Sequence, residues 1–386
     1  MDIAISGIGV ISSAGINLEK TVETFEKGIN RPGRVTLFKT DLGYPVFEAE
    51  YHSDVLKNNQ IRTVDLAFEA VEQALNDACL PHDLSGFRVG VCMGTTVASQ
   101  LSEIQFYSSY RENNPDFNAV DRFLASNLAQ AINIKTKAKG PELTVVNACS
   151  SSTDAIGVAM SWLRAGLCDI AIAGGADELS VVPYCGFGSL KILSNKECAP
   201  FDENRDGLNL GEGAGILILE TEKSMEKRKT EPHVYVSGYG TCADSYHLTS
   251  PAPDGKGLEK AIEKALYDSN ISAQDVCFIN AHGTATREND KVEGRTFAKI
   301  FGPDINFLST KGFTGHTLGA SGGLEAAFTI TGLKSGWIPK TPGFKIQDNE
   351  IKMSPTQKRT IINGKFALST SLGFGGVNSA LAFRKA

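Results

Sequence analysis

Short apolar runs alternate with longer amphipathic stretches along the whole chain. The runs Ile3 to Val10, Arg88 to Met93, Leu143 to Val146, Ile170 to Ala173, Ile216 to Leu219, Val234 to Val236, Val276 to Ile279 and Phe366 to Ser369 are rich in Val, Ile and Phe, which predicts buried strands. Ile61 to Cys79, Thr153 to Leu163 and Ala320 to Leu333 carry helical spacing. Strands alternating with helices predict an α/β fold, and no low-complexity linker separates independent domains. The helical pattern near Ala320 is broken by Gly and Glu, and no run reaches the roughly 18 apolar residues that a membrane helix needs.

A weak internal repeat accompanies this pattern. Thr153-Asp154-Ala155-Ile156 through Leu163-Arg164-Ala165-Gly166 lies over Gly323-Leu324-Glu325-Ala326 through Leu333-Lys334-Ser335-Gly336. Both stretches read as tightly packed helices ending in Leu, a basic residue, a small residue and a capping glycine. Either they are two unrelated buried helices, or the fold is duplicated and brings the segments before them to one place.

With 386 residues, 41% of them apolar and 21% charged, the chain can bury a large core. Its formal charge of −6 and the absence of a concentrated basic face exclude nucleic acid as an expected partner. Lys223, Lys227, Arg228 and Lys229 read as a solvated helix end and turn. Met1 is followed directly by a strand-like run with no basic leader, so the expectation is a cytoplasmic protein. Cysteines stand at positions 79, 92, 149, 168, 185, 198, 242 and 277 without a Cys-x-x-Cys pair, which argues against zinc and a disulfide framework. All except Cys149 are expected to be small buried hydrophobes.

Candidate chemistry gathers in four segments. Leu143 to Val146 leads through Asn147-Ala148-Cys149-Ser150-Ser151-Ser152 into the helix Thr153 to Leu163, a strand, turn and helix that would expose a cysteine at a helix N-terminus. Free backbone N–H groups there could receive an oxyanion, and the helix dipole favours thiolate. His282 ends an apolar strand in Asn280-Ala281-His282-Gly283-Thr284-Ala285-Thr286. His316 lies among small residues in Lys311-Gly312-Phe313-Thr314-Gly315-His316, followed by Gly319, Gly322 and Gly323. Ser371-Leu372-Gly373-Phe374-Gly375-Gly376-Val377-Asn378 is either a hairpin turn or a phosphate loop, although no helix follows it. One thiol and two imidazoles are a nucleophile and two hydrogen-bond donors, the set required for acyl transfer followed by enolate chemistry.

Taken in order, these segments resemble the elongating β-ketoacyl-carrier-protein synthases, from Ile3-Ala4-Ile5-Ser6-Gly7-Ile8-Gly9 to Gly373-Phe374-Gly375-Gly376-Val377-Asn378. Pro200-Phe201-Asp202, Arg205-Asp206-Gly207, Gly211-Glu212-Gly213-Ala214-Gly215 and Tyr246 to Pro251 belong to the same match. The resemblance implies a thiolase-like, five-layered α-β-α-β-α fold of two similar halves. Residues 1–232 would carry the nucleophile, and residues 233–386 both histidines and the Gly-Phe-Gly-Gly loop. It implies an acyltransferase that joins a Cys149-bound acyl chain to malonyl carrier protein with loss of carbon dioxide, in fatty-acid or polyketide-type synthesis.

By the same resemblance, the N–H groups of Cys149 and Phe374 form the oxyanion hole and the Phe374 ring gates the site. His282 and His316 stabilise the enolate, Lys311 orients His316 with support from Glu325, and Thr284 and Thr286 line the phosphopantetheine tunnel. No cofactor or metal is implied. The partners are an acyl carrier protein, malonyl and acyl thioesters, and a second copy or a related chain, with no membrane. Ser150-Ser151-Ser152 departs from the fatty-acid enzymes toward the polyketide type, and Lys57-Asn58-Asn59-Gln60-Ile61-Arg62 has few of the family's carrier-facing charges. A thiolase would need a second cysteine in the glycine loop where Phe374 stands, and a silent chain-length factor would be expected to lack Cys149.

Overall fold

The computed structural model describes residues 2–51, 61–97, 100–124, 127–351 and 353–386. Ten strands form one continuous sheet: β1 (Ile3–Ser12), β2 (Val89–Gly94), β3 (Glu142–Val145), β4 (Ile170–Asp177), β5 (Gly213–Glu220), β6 (Val234–Ala243), β7 (Val276–Asn280), β8 (Asn306–Leu308), β11 (Phe366–Gly373) and β12 (Val377–Lys385). A separate pair, β9 (Trp337–Ile338) and β10 (Thr360–Ile361), lies outside it. The order β3-β2-β4-β5-β1-β6-β12-β11-β7-β8 reads as two five-stranded sheets with matching connections, joined where β1 pairs with the start of β6.

Each half has the same parts in the same order. The outer helix Arg62–Asp77 covers β1 and β5, and Lys256–Asp268 covers β6 and β12. The inner helices Ser151–Arg164 and Ser321–Ser335 pack against each other between the two sheets. Their apolar residues, including Ile156, Met160, Leu163, Leu324, Ile330 and Leu333, belong to one buried cluster. Strands covered on both faces are buried along their length, so they appear in sequence as continuous apolar runs rather than alternating ones.

The repeat seen in the sequence is structural. A 3₁₀ turn precedes each inner helix, Ala148–Ser150 in one half and Leu318–Ala320 in the other. Each turn opens on a non-glycine residue in the left-handed region, Ala148 at φ 61° and Leu318 at φ 50°. The duplicated fold therefore presents two equivalent strained turns, one before each inner helix, and both helix N-termini point to the same region.

Glycine permits the close approach of these layers. A Cβ on Gly215 of β5 would stand 2.3 Å from the Leu324 backbone nitrogen. Among the described residues no helix is long and apolar enough to cross a membrane.

Gly215→Ala must push the inner helix away from β5, because the obstructing atoms are backbone. It should cost at least about 1–3 kcal/mol, read as a lower thermal or denaturant midpoint. An unchanged midpoint would mean that the layers are not in this contact.

Candidate active site

Cys149 occupies the 3₁₀ turn between β3 and the inner helix Ser151–Arg164. The left-handed backbone at Ala148 costs an L-residue about 1–2 kcal/mol, and side chains around it hold the turn. Ser151 donates its hydroxyl to Ala148 O at 2.6 Å and accepts from Asn147 N at 3.0 Å. Ser150 donates to an Asp154 carboxylate oxygen at 3.1 Å. Ser152 accepts the Gly323 N–H of the other inner helix at 2.8 Å. The three serines thus close the turn, tie it to its own helix and join the two halves.

His282 follows β7, where Gly283 at φ 44° turns the chain. Glu293 of the helix Arg287–Phe301 accepts the backbone N–H groups of His282 and Gly283 at 2.8 and 2.6 Å. Lys311 Nζ donates to His282 Nδ1 at 3.1 Å and to His282 O at 2.6 Å, and it pairs with Glu325. Because an ammonium can only donate, His282 Nδ1 is an acceptor and its proton sits on Nε2.

His316 is held differently. Its Nδ1 lies 3.0 Å from Ser321 Oγ, and its Nε2 lies 3.1 Å from Cys149 Sγ. The two imidazoles meet edge to face with centroids 5.1 Å apart, and a ligating atom of each lies within 4.8 Å of the thiol and of the other. Lys311 therefore orients His282. The expectation that it orients His316 is incorrect, because Lys311 reaches back to the end of β7 while Ser321, at the start of the second inner helix, takes the other ring. Lys311 acts on His316 through its charge alone.

Electrostatics set the resting protonation. Burial, followed by the charge of Lys311, holds both imidazoles well below their ordinary range, so both are neutral donors near pH 7. Burial pushes the Cys149 thiol up to about 11, opposed by Lys311 and by the Phe374 backbone N–H. The helix-terminus expectation of a ready thiolate is thus outweighed by desolvation. The thiol has to pass its proton on, and His316 Nε2 is the adjacent acceptor when that imidazole carries its own proton on Nδ1. Burial also raises Glu325 to about 7, opposed by Lys311. The Cys149–His282–His316 set is close enough to ligate a metal, but a divalent ion there would be repelled by the Lys311 ammonium that contacts His282.

The glycine-rich C-terminal segment is a hairpin turn between β11 and β12, with Gly375 and Gly376 at φ 86° and 81°. The turn brings the Phe374 N–H to the Cys149 sulfur, and the Phe374 ring stacks on Phe187 at 5.3 Å and 12°. Gly375 N donates to Leu248 O at 2.7 Å, so the Tyr246 to Pro251 loop braces the turn. A cavity of about 370 Å³ is lined by Cys149, His282, His316, Thr284, Thr286 and Phe374, with Phe187 also on its wall. The hydroxyls of Thr284 and Thr286 are 2.9 Å apart.

The structure brings together all eight residues singled out in the sequence. It adds Phe187, whose sequence neighbourhood gives no signal; Ser321, which stands in the small-residue run after His316 without being singled out there; and Glu293, whose signal is only its place on the helix after the His282 turn. One further expectation changes. Cys79 and Cys185 are exposed, and Cys242 and Cys277 are only partly buried, so the buried-hydrophobe reading fails for them. Arg62, one of the few charges in the Lys57 to Arg62 stretch, is buried against Glu212 at 2.5 Å. Residues 57–60 of that stretch lie outside the described residues.

Residues 1–224 match the family model described as beta-ketoacyl synthase, N-terminal domain, and residues 233–345 match beta-ketoacyl synthase, C-terminal domain. The chain is 33% identical to 3-oxoacyl-(acyl-carrier-protein) synthase 2 of Staphylococcus aureus, over 99% of this chain and 98% of the relative. It is 34% identical to the Synechocystis protein of the same name, over 99% and 98%. Among solved structures it superimposes on the ishigamide ketosynthase/chain length factor with TM-score 0.92 at 26% identity, covering 100% of this chain and 99% of that one. A ketosynthase in complex with its chain length factor from Xenorhabdus doucetiae gives TM-score 0.82 at 29% identity, covering 100% and 98%. With both family models covering most of its length and its fold shared with solved ketosynthases, the chain belongs to the beta-ketoacyl synthase family of acyl-transferring enzymes.

Proposed function

We propose that this chain is a 3-oxoacyl-acyl-carrier-protein synthase that extends an acyl chain held on Cys149 with the two-carbon unit of malonyl carrier protein. The observation that carries this reading is the Cys149 thiol at a helix N-terminus, 3.1 Å from His316 Nε2, with His282 beside it on one cavity. In the first half-reaction Cys149 Sγ attacks the acyl thioester, His316 relays the thiol proton, and the carrier thiol leaves. The oxyanion is received by the N–H groups of Cys149 and Phe374. In the second, the malonyl thioester oxygen accepts hydrogen bonds from Nε2–H of His282 and His316. Carbon dioxide leaves, the enolate carbon attacks the Cys149 thioester, and the thiolate is released with a 3-oxoacyl carrier as product. Fixed neutral donors favour the enolate more than the ground state, which is the condition for catalysis.

Thr284 and Thr286 would line the path of the phosphopantetheine arm, and the Phe374 ring, stacked on Phe187, would gate it. No cofactor or metal enters this scheme. In this reading the halves divide between residues 232 and 233. A second reading, a polyketide-type ketosynthase working beside a chain-length-factor partner, is favoured by the Ser150-Ser151-Ser152 run and by the ketosynthase/chain length factor structures that share the fold. Intact-mass analysis with a panel of acyl carriers, with and without such a partner chain, separates the two readings. Acylation and condensation by the chain alone support the first.

Cys149→Gln should abolish condensation and retain carbon dioxide release from malonyl carrier protein, since both imidazoles remain. A folded variant that does neither would refute the division of labour. His282→Ala and His316→Ala should each slow carbon dioxide release by about 10²–10³. Lys311→Ala should slow carbon dioxide release in the same direction as His282→Ala, because its hydrogen bonds go to His282. Carbon dioxide release at the parent rate in a folded Lys311→Ala variant would contradict this.

Alkylation of Cys149, followed by peptide mapping, should keep rising between pH 9 and 11, because burial favours the neutral thiol and the thiolate fraction grows up to about 11. A plateau already reached by about pH 8 would indicate a stabilised resting thiolate instead.

A further inference from the structure

Asp154, in the first turn of the nucleophile's helix, collects four donors from both halves of the molecule. One carboxylate oxygen accepts Asn147 Nδ2 and, at 3.1 Å, Ser150 Oγ, the residues that flank Ala148 and Cys149. The other accepts Tyr239 Oη at 2.7 Å from β6 and Ser379 Oγ from β12. The carboxylate is buried, with 5% of the residue exposed, and it does not line the catalytic cavity. It therefore touches neither substrate nor reacting atoms in the scheme above.

The neighbouring contacts run the same way. Thr153 Oγ1 lies 2.7 Å from Ser371 Oγ on β11, three residues before Phe374 in the hairpin turn. The Tyr239 ring packs so closely over the helix that a Cβ on Gly157 would stand 2.5 Å from it. The N–H groups of Cys149 and Phe374 belong to different halves, so they can converge on one oxygen only if the nucleophile turn is registered against β6, β11 and β12. The Ala148 backbone is strained and would relax if its flanks were freed.

We propose that Asp154 is a positioning residue for acylation: it ties both flanks of Cys149 to the C-terminal half so that the Cys149 and Phe374 N–H groups face one point. This rests on the reading of Cys149 as acyl acceptor. The histidine step does not depend on it, because His282 and His316 are held by Lys311, Glu293 and Ser321.

The test measures single-turnover acylation of Cys149 in Asp154→Ala and Asp154→Asn, and carbon dioxide release from malonyl carrier protein with each change added to Cys149→Gln. Asp154→Ala should slow acylation by about 10²-fold, as a displacement near 1 Å does, and change carbon dioxide release by less than about threefold. Asp154→Asn keeps an oxygen for Asn147 and Ser150 and turns its amide to the Tyr239 and Ser379 hydroxyls, which can accept. It should recover acylation to within about tenfold of the parent, on the same scale of misplacement. If Asp154→Ala does not fold, Asn147→Ala removes one tether alone and should show the same selective loss. Acylation at the parent rate in Asp154→Ala, equal loss of both half-reactions, or an Asp154→Asn variant as slow as Asp154→Ala would each overturn the proposal. A parent protein that is never acylated on Cys149 would instead remove the reading on which the proposal rests.

Discussion

Gly322 has no side chain where Thr153 needs the space: a Cβ there would stand 1.9 Å from the Thr153 hydroxyl oxygen. That contact lets the N-termini of the two inner helices meet, and the geometry of the site follows from it. Cys149 precedes one helix; His316 and Ser321 stand at the start of the other. Two helix N-termini thus converge where negative charge develops in the proposed reaction. A duplicated fold provides this convergence without a separate device for each residue. The strained turns at Ala148 and Leu318 are the shared part, and only the side chains they present have diverged.

Lys311 is the second element on which the site depends. Burying an ammonium is costly unless it is paired and fully hydrogen-bonded, and Lys311 has both conditions in Glu325 and in the ring and carbonyl of His282. Burial, reinforced by its charge, keeps both imidazoles neutral, and the same charge opposes the desolvation that raises the Cys149 thiol. Neutral imidazoles can donate to an oxyanion without a permanent charge that would bind the ground state equally well. Ser321 gives His316 a polar contact that can reverse its hydrogen-bond direction, whereas Lys311 fixes one tautomer on His282. The two rings are therefore suited to different work: His316 can relay a proton from the thiol, and His282 can only donate.

Much of this was legible in the sequence because it rests on local patterns. The strand, small-residue turn and helix around Cys149 have a short-range signal, and so do the Gly-Thr turn after His282 and the glycines before the second inner helix. The repeat was legible because helix packing demands small residues at matching places. Which histidine Lys311 touches was not legible, since that depends on how β7 meets the segment before the second inner helix. Phe187 and Asp154 look like ordinary apolar and helix-start residues until β6, β11 and β12 are in place. The burial of Arg62 has no local signal, since it is Glu212, far along the chain, that draws the charge inside. The exposed Cys79 escaped for a local reason: it follows the outer helix in the left-handed region, at φ 53°, where the chain turns outward.

The central claim is a division of labour between two sets of donors across one cavity, backbone N–H groups for the acyl oxygen and imidazoles for the enolate. A crystal structure of the Cys149 acyl-enzyme tests it directly. The acyl carbonyl oxygen should lie within about 3 Å of both the Cys149 and Phe374 nitrogens, leaving the two Nε2 atoms free for the second substrate. An acyl oxygen bound instead to His282 and His316, with the Phe374 nitrogen unengaged, would contradict it.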